Sequence, residues 1–154
     1  MSFEQAIVFT LKWEGGLSSD PHDPGNAGGN VTNLGVTQPP YDEYRRLKGK
    51  PLQSTARITK DEALELYKLL YWSRAGCHEM ADRLAIAHFD WAVNHGVGGA
   101  VGDLQRCVGT FADGGYGPLT SAAIKAYLEA HGEDALLTAY LSQGFSLPDS
   151  HYTG

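Results

Sequence analysis

The sequence predicts a mainly α-helical protein with a long Gly/Pro/Asp loop after its first helix and, at most, a small β-hairpin within that loop. Three observations lead there. Apolar residues recur at helical spacing along most of the 154 residues. Two Ser/Thr-x-x-Gln/Glu boxes stand where helices would begin. Fourteen of the 19 glycines fall in two segments, residues 15–40 and 94–118, and so punctuate the helical pattern instead of pervading it. No stretch gives a convincing row of alternating strands, and no fixed repeat is present.

The elements follow in order. Ser2 and Gln5 form the first capping box, and Phe3, Ala6, Ile7, Thr10 and Leu11 make one apolar stripe behind it. Gly15-Gly16 ends that helix, because a left-handed residue past the last turn favours glycine. The segment up to Pro40 then carries Pro21, Pro24, Pro39 and six glycines, with Val31–Thr37 as the hairpin candidate. Tyr41–Lys48 reads as a short helix closed by Gly49. Thr59 and Glu62 form the second capping box, followed by the stripe Ala63, Leu66, Tyr67 and Leu70. Glu79–Asn94 is a central helix with Leu84, Ala85, His88, Phe89 and Ala92 on one side. Leu104–Val108, Thr120–His131 and Asp134–Gln143 complete the set, and the second glycine run separates the central helix from them.

Composition excludes several classes. The length suits about one domain, and 42% hydrophobic with 19% charged residues suits a globular chain. Apolar runs such as Ala6–Phe9 are far too short to cross a bilayer, so no membrane insertion is expected. The start, MSFEQAIVFTLKWEGG, has neither a basic leader region nor a small-residue cleavage site, so no signal peptide is expected. Twelve basic against 18 acidic residues give a net charge of −6, which argues against a nucleic-acid partner. Cys77 and Cys107 are too few for a disulfide scaffold and read as buried small hydrophobes. The six histidines form no H-E-x-x-H, and Cys77-His78 lacks a second pair at zinc spacing, so no metal is expected. Neither a nucleophile elbow nor a phosphate loop occurs, and no cofactor is implied.

Glu14 carries the most chemical information. It lies three residues beyond Leu11 and seven beyond Ile7, so it continues the apolar stripe into the last helical turn. Partial desolvation and the negative end of the helix dipole would both disfavour its ionised form, so its pKa is expected to be raised. A carboxyl group kept protonated near neutrality suits a general acid for glycosidic cleavage. The competing reading is a helix-end Glu that bends out to solvent. The loop of residues 15–40 exceeds the ordinary length of a passive connection, roughly 12–15 residues, and is rich in polar groups. Asp23, nine residues after Glu14, offers a second carboxylate that could activate a water on the opposite face of a sugar. Its alternative is turn chemistry in an Asp-Pro pair.

Taken together, Trp13-Glu14-Gly15-Gly16, Asp20-Pro21-His22-Asp23-Pro24-Gly25 and Val31-Thr32-Asn33-Leu34-Gly35-Val36-Thr37 resemble the amino-terminal signature of glycoside hydrolase family 108. Further matches follow in order: Thr59–Tyr67, Tyr71-Trp72, Phe89-Asp90 through Asn94-His95-Gly96, Leu104-Gln105, and Asp113-Gly114 with Gly117-Pro118 and Thr120. The last three resemble the peptidoglycan-binding segment that accompanies the family. The resemblance implies a lysozyme-like helical fold and an N-acetylmuramidase, found among phage endolysins and secretion-associated lysozymes. It implies a catalytic segment over residues 1–95 and a helical, peptidoglycan-binding-like segment over 96–154, packed into one compact domain. It places the catalytic Glu on Glu14. More loosely, phage-type lysozymes carry an acidic residue and a threonine downstream, positions comparable to Asp23 and Thr32, where Thr32 would hold the attacking water. The stretch from Asp23 to Thr32 is longer here than the family's compact loop, and the chain ends without the family's Trp- and Arg-containing finish.

The remaining candidates are substrate contacts. Asp90 and Asn94, four apart, share a helix face and could bind the glycan's N-acetyl groups or simply cap neighbouring loops. Gln105 could donate to substrate or be a satisfied core amide. Trp13 lies off the main stripe beside Glu14 and is the best cleft aromatic, whereas Trp72 and Trp91 fit a core better. The expected partner is bacterial cell-wall peptidoglycan, and the expected function is cleavage of the MurNAc-GlcNAc β-1,4 bond with Glu14 as general acid. A lytic transglycosylase and a non-catalytic wall-binding module are the alternatives. A protein made in the cytoplasm without a leader would need a holin or a secretion system to reach the wall or periplasm.

Overall fold

The computed structural model describes residues 3–11 and 35–142. The described chain is helical: α1 (Phe3–Leu11), α2 (Gln38–Leu47), α3 (Lys60–Tyr67), α4 (Asp82–His95), α5 (Val97–Val108), α6 (Pro118–His131) and α7 (133–142). α3 continues into a wider π-helical turn, Lys68–Ser73, and short 3₁₀ turns occupy Thr55–Arg57 and Cys77–Glu79. Among the described residues there is no strand; Val36 is a lone bridge residue. Of the hairpin candidate, residues 31–34 lie outside the described residues, as do Ser2 of the first capping box and Gly15-Gly16.

Local chemistry accounts for most boundaries. At α3 the Thr59 hydroxyl accepts from the Glu62 amide at 3.1 Å, and the Glu62 carboxylate accepts from the Thr59 amide at 3.4 Å, so both halves of the capping box form. α2 starts at Gln38, three residues before the expected Tyr41, because Pro39 and Pro40 sit in its first turn, where amides have no intrahelical acceptor. Pro118 opens α6 for the same reason. α4 starts at Asp82 instead of Glu79, since residues 77–79 form the 3₁₀ turn after Gly76.

The largest correction concerns α5. It begins at Val97, not Leu104, and takes Gly98, Gly99 and Gly102 into its interior. Each helical glycine costs roughly 1 kcal/mol against alanine. Complete burial of Ala100, Val101 and Leu104 outweighs that cost. Much of the second glycine run is therefore helix, and only Gly96 at its start and residues 109–117 after it are turns.

α4 lies at the centre, packed between α1 and α5, and α5 in turn packs on α6. Its Ala85, Phe89 and Ala92 face a larger core with Phe3, Ala6, Ile7, Leu66, Leu70 and Trp72, while Leu84 faces a smaller one with Leu104, Ile124, Leu136 and Tyr140. Phe3, Trp72 and Phe89 meet edge to face, with centroids 5.6–5.7 Å apart, and this triangle fixes α1 on α4. Trp72 is thus a core residue, as the sequence suggests. Glycine is required at Gly76: its φ is +81°, and a Cβ there would lie 2.4 Å from the ring of Tyr116.

Candidate active site

Trp13, Glu14, Asp23 and Thr32 lie outside the described residues. What the structure places is the frame on either side of them. α1 leads into that segment, anchored by Phe3, Ala6 and Ile7, all nearly inaccessible. The chain re-enters at Gly35, and Val36 is buried in the same core as the α1 residues. The described residues on either side of that segment, in α1 and at Val36, thus belong to one core.

Asp90 and Asn94 come together on the last turns of α4, as their spacing predicts. The Asn94 amide donates to the Asp90 backbone carbonyl at 2.8 Å and approaches its carboxylate at 3.4 Å. Asn94 is exposed and Asp90 half-buried, so the pair meets solvent on one side. Next to it, the Trp91 indole donates to Asp103 at 2.9 Å and its ring lies 3.7 Å from that of His95. Asp103 is almost fully buried and also accepts from the Arg106 guanidinium. This Trp91-Asp103-Arg106 chain locks the corner between α4 and α5, and it gives Asp103 a role that sequence reasoning missed. The available signal was the i,i+3 spacing of Asp103 and Arg106 within an otherwise apolar stripe.

Gln105 is elsewhere and faces inward. Its side chain is 1% exposed. Its amide nitrogen lies 2.9–3.1 Å from Thr120 Oγ1, Asp113 Oδ1 and the Gly115 carbonyl, and its oxygen accepts from the Gly114 amide at 2.9 Å. The side chain thus holds the 110–117 loop. The Gly115 amide and the Gln105 amide, both donating to Asp113, keep its carboxyl below the usual range. Gly114 adopts φ +79° where the loop passes the start of α5, and a Cβ there would come within 3.1 Å of the Gly98 carbonyl. Gln105→Ala strands several of these partners and should lower stability by about 2 kcal/mol. Melting curves read that loss, and an unchanged KM would separate the structural role from substrate contact.

The cysteines carry no activated thiol. Burial pushes Cys77 up to about 12 and Cys107 up to about 11, far from the depressed values of reactive thiols. Among the described residues, no group of three or more His, Cys, Asp or Glu could hold a metal ion, and no helix is long and apolar enough to cross a membrane.

The described chain is a mainly α-helical frame, consistent with a lysozyme-like fold. Residues 7–96, more than half of the chain, match the family Glycosyl hydrolase 108, and the protein belongs to that family. It is accordingly a glycoside hydrolase, and its substrate class is peptidoglycan. The fold is similar to the solved structure of Brucella abortus SagA, with a TM-score of 0.64 and 27% sequence identity over 91% of this chain and 78% of that one. No curated protein matches the chain closely enough to count as a relative.

Proposed function

We propose that this peptidoglycan hydrolase is an N-acetylmuramidase that cleaves the β-1,4 bond between N-acetylmuramic acid and N-acetylglucosamine. The observation that carries the reading is the family match over residues 7–96, which spans Glu14 within Trp13-Glu14-Gly15-Gly16. Glu14 donates its proton to the leaving glycosidic oxygen. Asp23 activates the attacking water or stabilises the oxocarbenium-like charge, and Thr32 holds that water. Trp13 offers a stacking face beside Glu14, and the solvent-facing pair Asp90 and Asn94 hydrogen-bonds the glycan's N-acetyl groups. The wall is reached with the help of a holin or a secretion system.

Digestion of purified peptidoglycan, followed by mass spectrometry, tests the reaction. Hydrolysis leaves reducing N-acetylmuramic acid ends. A lytic transglycosylase would leave 1,6-anhydro ends instead, and a wall-binding module would release no fragments. Either of those results removes the muramidase reading. Reducing ends on N-acetylglucosamine would keep hydrolysis but move the cut to the other glycosidic bond.

A further inference from the structure

We propose that the exposed knob at the end of α2, formed by Arg46, Leu47, Lys48, Lys50, Pro51 and Leu52, is a peripheral docking surface for a bilayer with anionic headgroups. Charge is the first observation. The chain carries a net −6, yet residues 44–60 contain six Lys and Arg and no Asp or Glu. Residues 38–68 hold seven cations against five acids, while the rest of the chain holds five against 13. Those counts leave this stretch at +2 and the rest of the sequence at −8.

Shape is the second. Gly49, at φ +70°, turns the chain back over the helix end. There the Gly49 amide donates to the Arg46 carbonyl at 3.0 Å and the Lys50 amide to the Arg45 carbonyl at 2.9 Å. Arg45 Nε then donates to the Pro51 carbonyl at 2.8 Å and holds the turn against α2. Every residue of 46–52 is exposed, including Leu47 at 54% and Leu52 at 48%. Arg46 and Lys50 make no ion pair among the described residues, and Lys48 meets Glu65 only in an exposed pair at 3.2 Å, which gives way readily to a competing anion. The connection then runs back along α2, because Gln38 bonds both the Gln53 carbonyl and the Thr55 amide. Exposed Arg57 and Lys60 therefore extend the positive field toward the other end of the unit.

Cations at a helix C-terminus also complement the helix dipole. That accounts for Arg46 and Lys48 but not for two exposed leucines set among them. The same leucines choose the occupant. A soluble phosphate or carboxylate polymer would engage the cations and leave Leu47 and Leu52 in water. A bilayer engages both, with side-chain cations at the headgroups and leucines at the acyl boundary. No segment needs to cross the membrane.

Co-sedimentation of the full-length protein with vesicles tests the surface. Binding is expected to vesicles of phosphatidylcholine mixed with phosphatidylglycerol, to fall steeply with salt, and to be absent with phosphatidylcholine alone. Leu47→Ser/Leu52→Ser and Arg46→Glu/Lys50→Glu should each weaken it by about tenfold or more, with melting temperature and hydrolysis of soluble glycan fragments unchanged. Absence of binding to the phosphatidylglycerol vesicles overturns the proposal. So does vesicle binding that the charge pair abolishes and the leucine pair leaves untouched, which would leave a basic patch that attracts any polyanion and does not seat its leucines in a bilayer.

Discussion

Glu14→Gln should reduce hydrolysis of purified cell walls by about 10²–10⁴-fold, the range that loss of a positioned general acid brings. Glutamine keeps the size and hydrogen-bonding reach of the side chain but has no proton to give to the leaving oxygen. Wall binding and melting temperature should stay close to those of the parent protein, because glutamine nearly matches glutamate in size and the substitution leaves untouched the core of Phe3, Ala6, Ile7, Trp72 and Phe89 that holds α1. The measurement is release of reducing ends, with a pull-down on insoluble wall as the binding control. Full activity in Glu14→Gln would end the assignment of Glu14. Asp23→Ala belongs in the same assay: activity within a few-fold of the parent would leave Asp23 as a turn residue, and a loss comparable to that of Glu14→Gln would establish the second carboxylate.

Stability should fall by about 3 kcal/mol as pH drops from about 6.5 to about 4, and His88 is the group responsible. His88 is completely buried on α4. Its Nε2 lies 2.9 Å from the Ala75 carbonyl, which can only accept, so Nε2 carries the proton. Nδ1 then accepts from the Tyr140 hydroxyl at 2.6 Å. Both ring nitrogens are satisfied in the neutral form, and burial holds the pKa at about 4, below the ordinary 6.5. The unfolded chain protonates its histidine first. The contribution is complete above pH 6.5, shrinks as pH falls, and is gone once the folded form also takes a proton near pH 4. Glu62, Glu65 and Asp113, all held below the usual carboxylate range, add their own losses at lower pH, as they protonate. Urea unfolding at a series of pH values, for the parent and His88→Gln, isolates the histidine. The substitution should flatten the profile between pH 6.5 and 4, and an unchanged slope would show that another group is responsible.

Much of this architecture is legible in the residues themselves. The Thr59-Glu62 capping box, the stripe Ala63, Leu66, Tyr67, Leu70 and the buried face Leu84, Ala85, His88, Phe89, Ala92 all appear where periodicity puts them. Such features depend on neighbours three or four positions away, and a helix brings those neighbours together whatever the rest of the chain does. Boundaries were less legible where a residue's local preference is weak or double. Pro39 and Pro40 read as loop, yet the first helical turn accepts them; the glycines of α5 read as breakers, yet burial of Ala100, Val101 and Leu104 keeps them helical.

Site chemistry divides along the same line. The sequence alone singles out Glu14, through its place on the stripe and the Gly-Gly stop behind it, and the family to which that motif belongs. It also pairs Asp90 with Asn94, because four residues along a helix is one turn. Only the tertiary structure decided that Gln105 turns inward to hold the 110–117 loop, that Asp103 ties Trp91 to Arg106, and that His88 finds Ala75 and Tyr140. Those partners, all but the Asp103-Arg106 bond, lie from eight to 52 positions apart. No periodicity encodes such distances. They arise when α4, α5 and the loops pack, and each buried polar group then takes the nearest complementary atom to avoid being left unsatisfied.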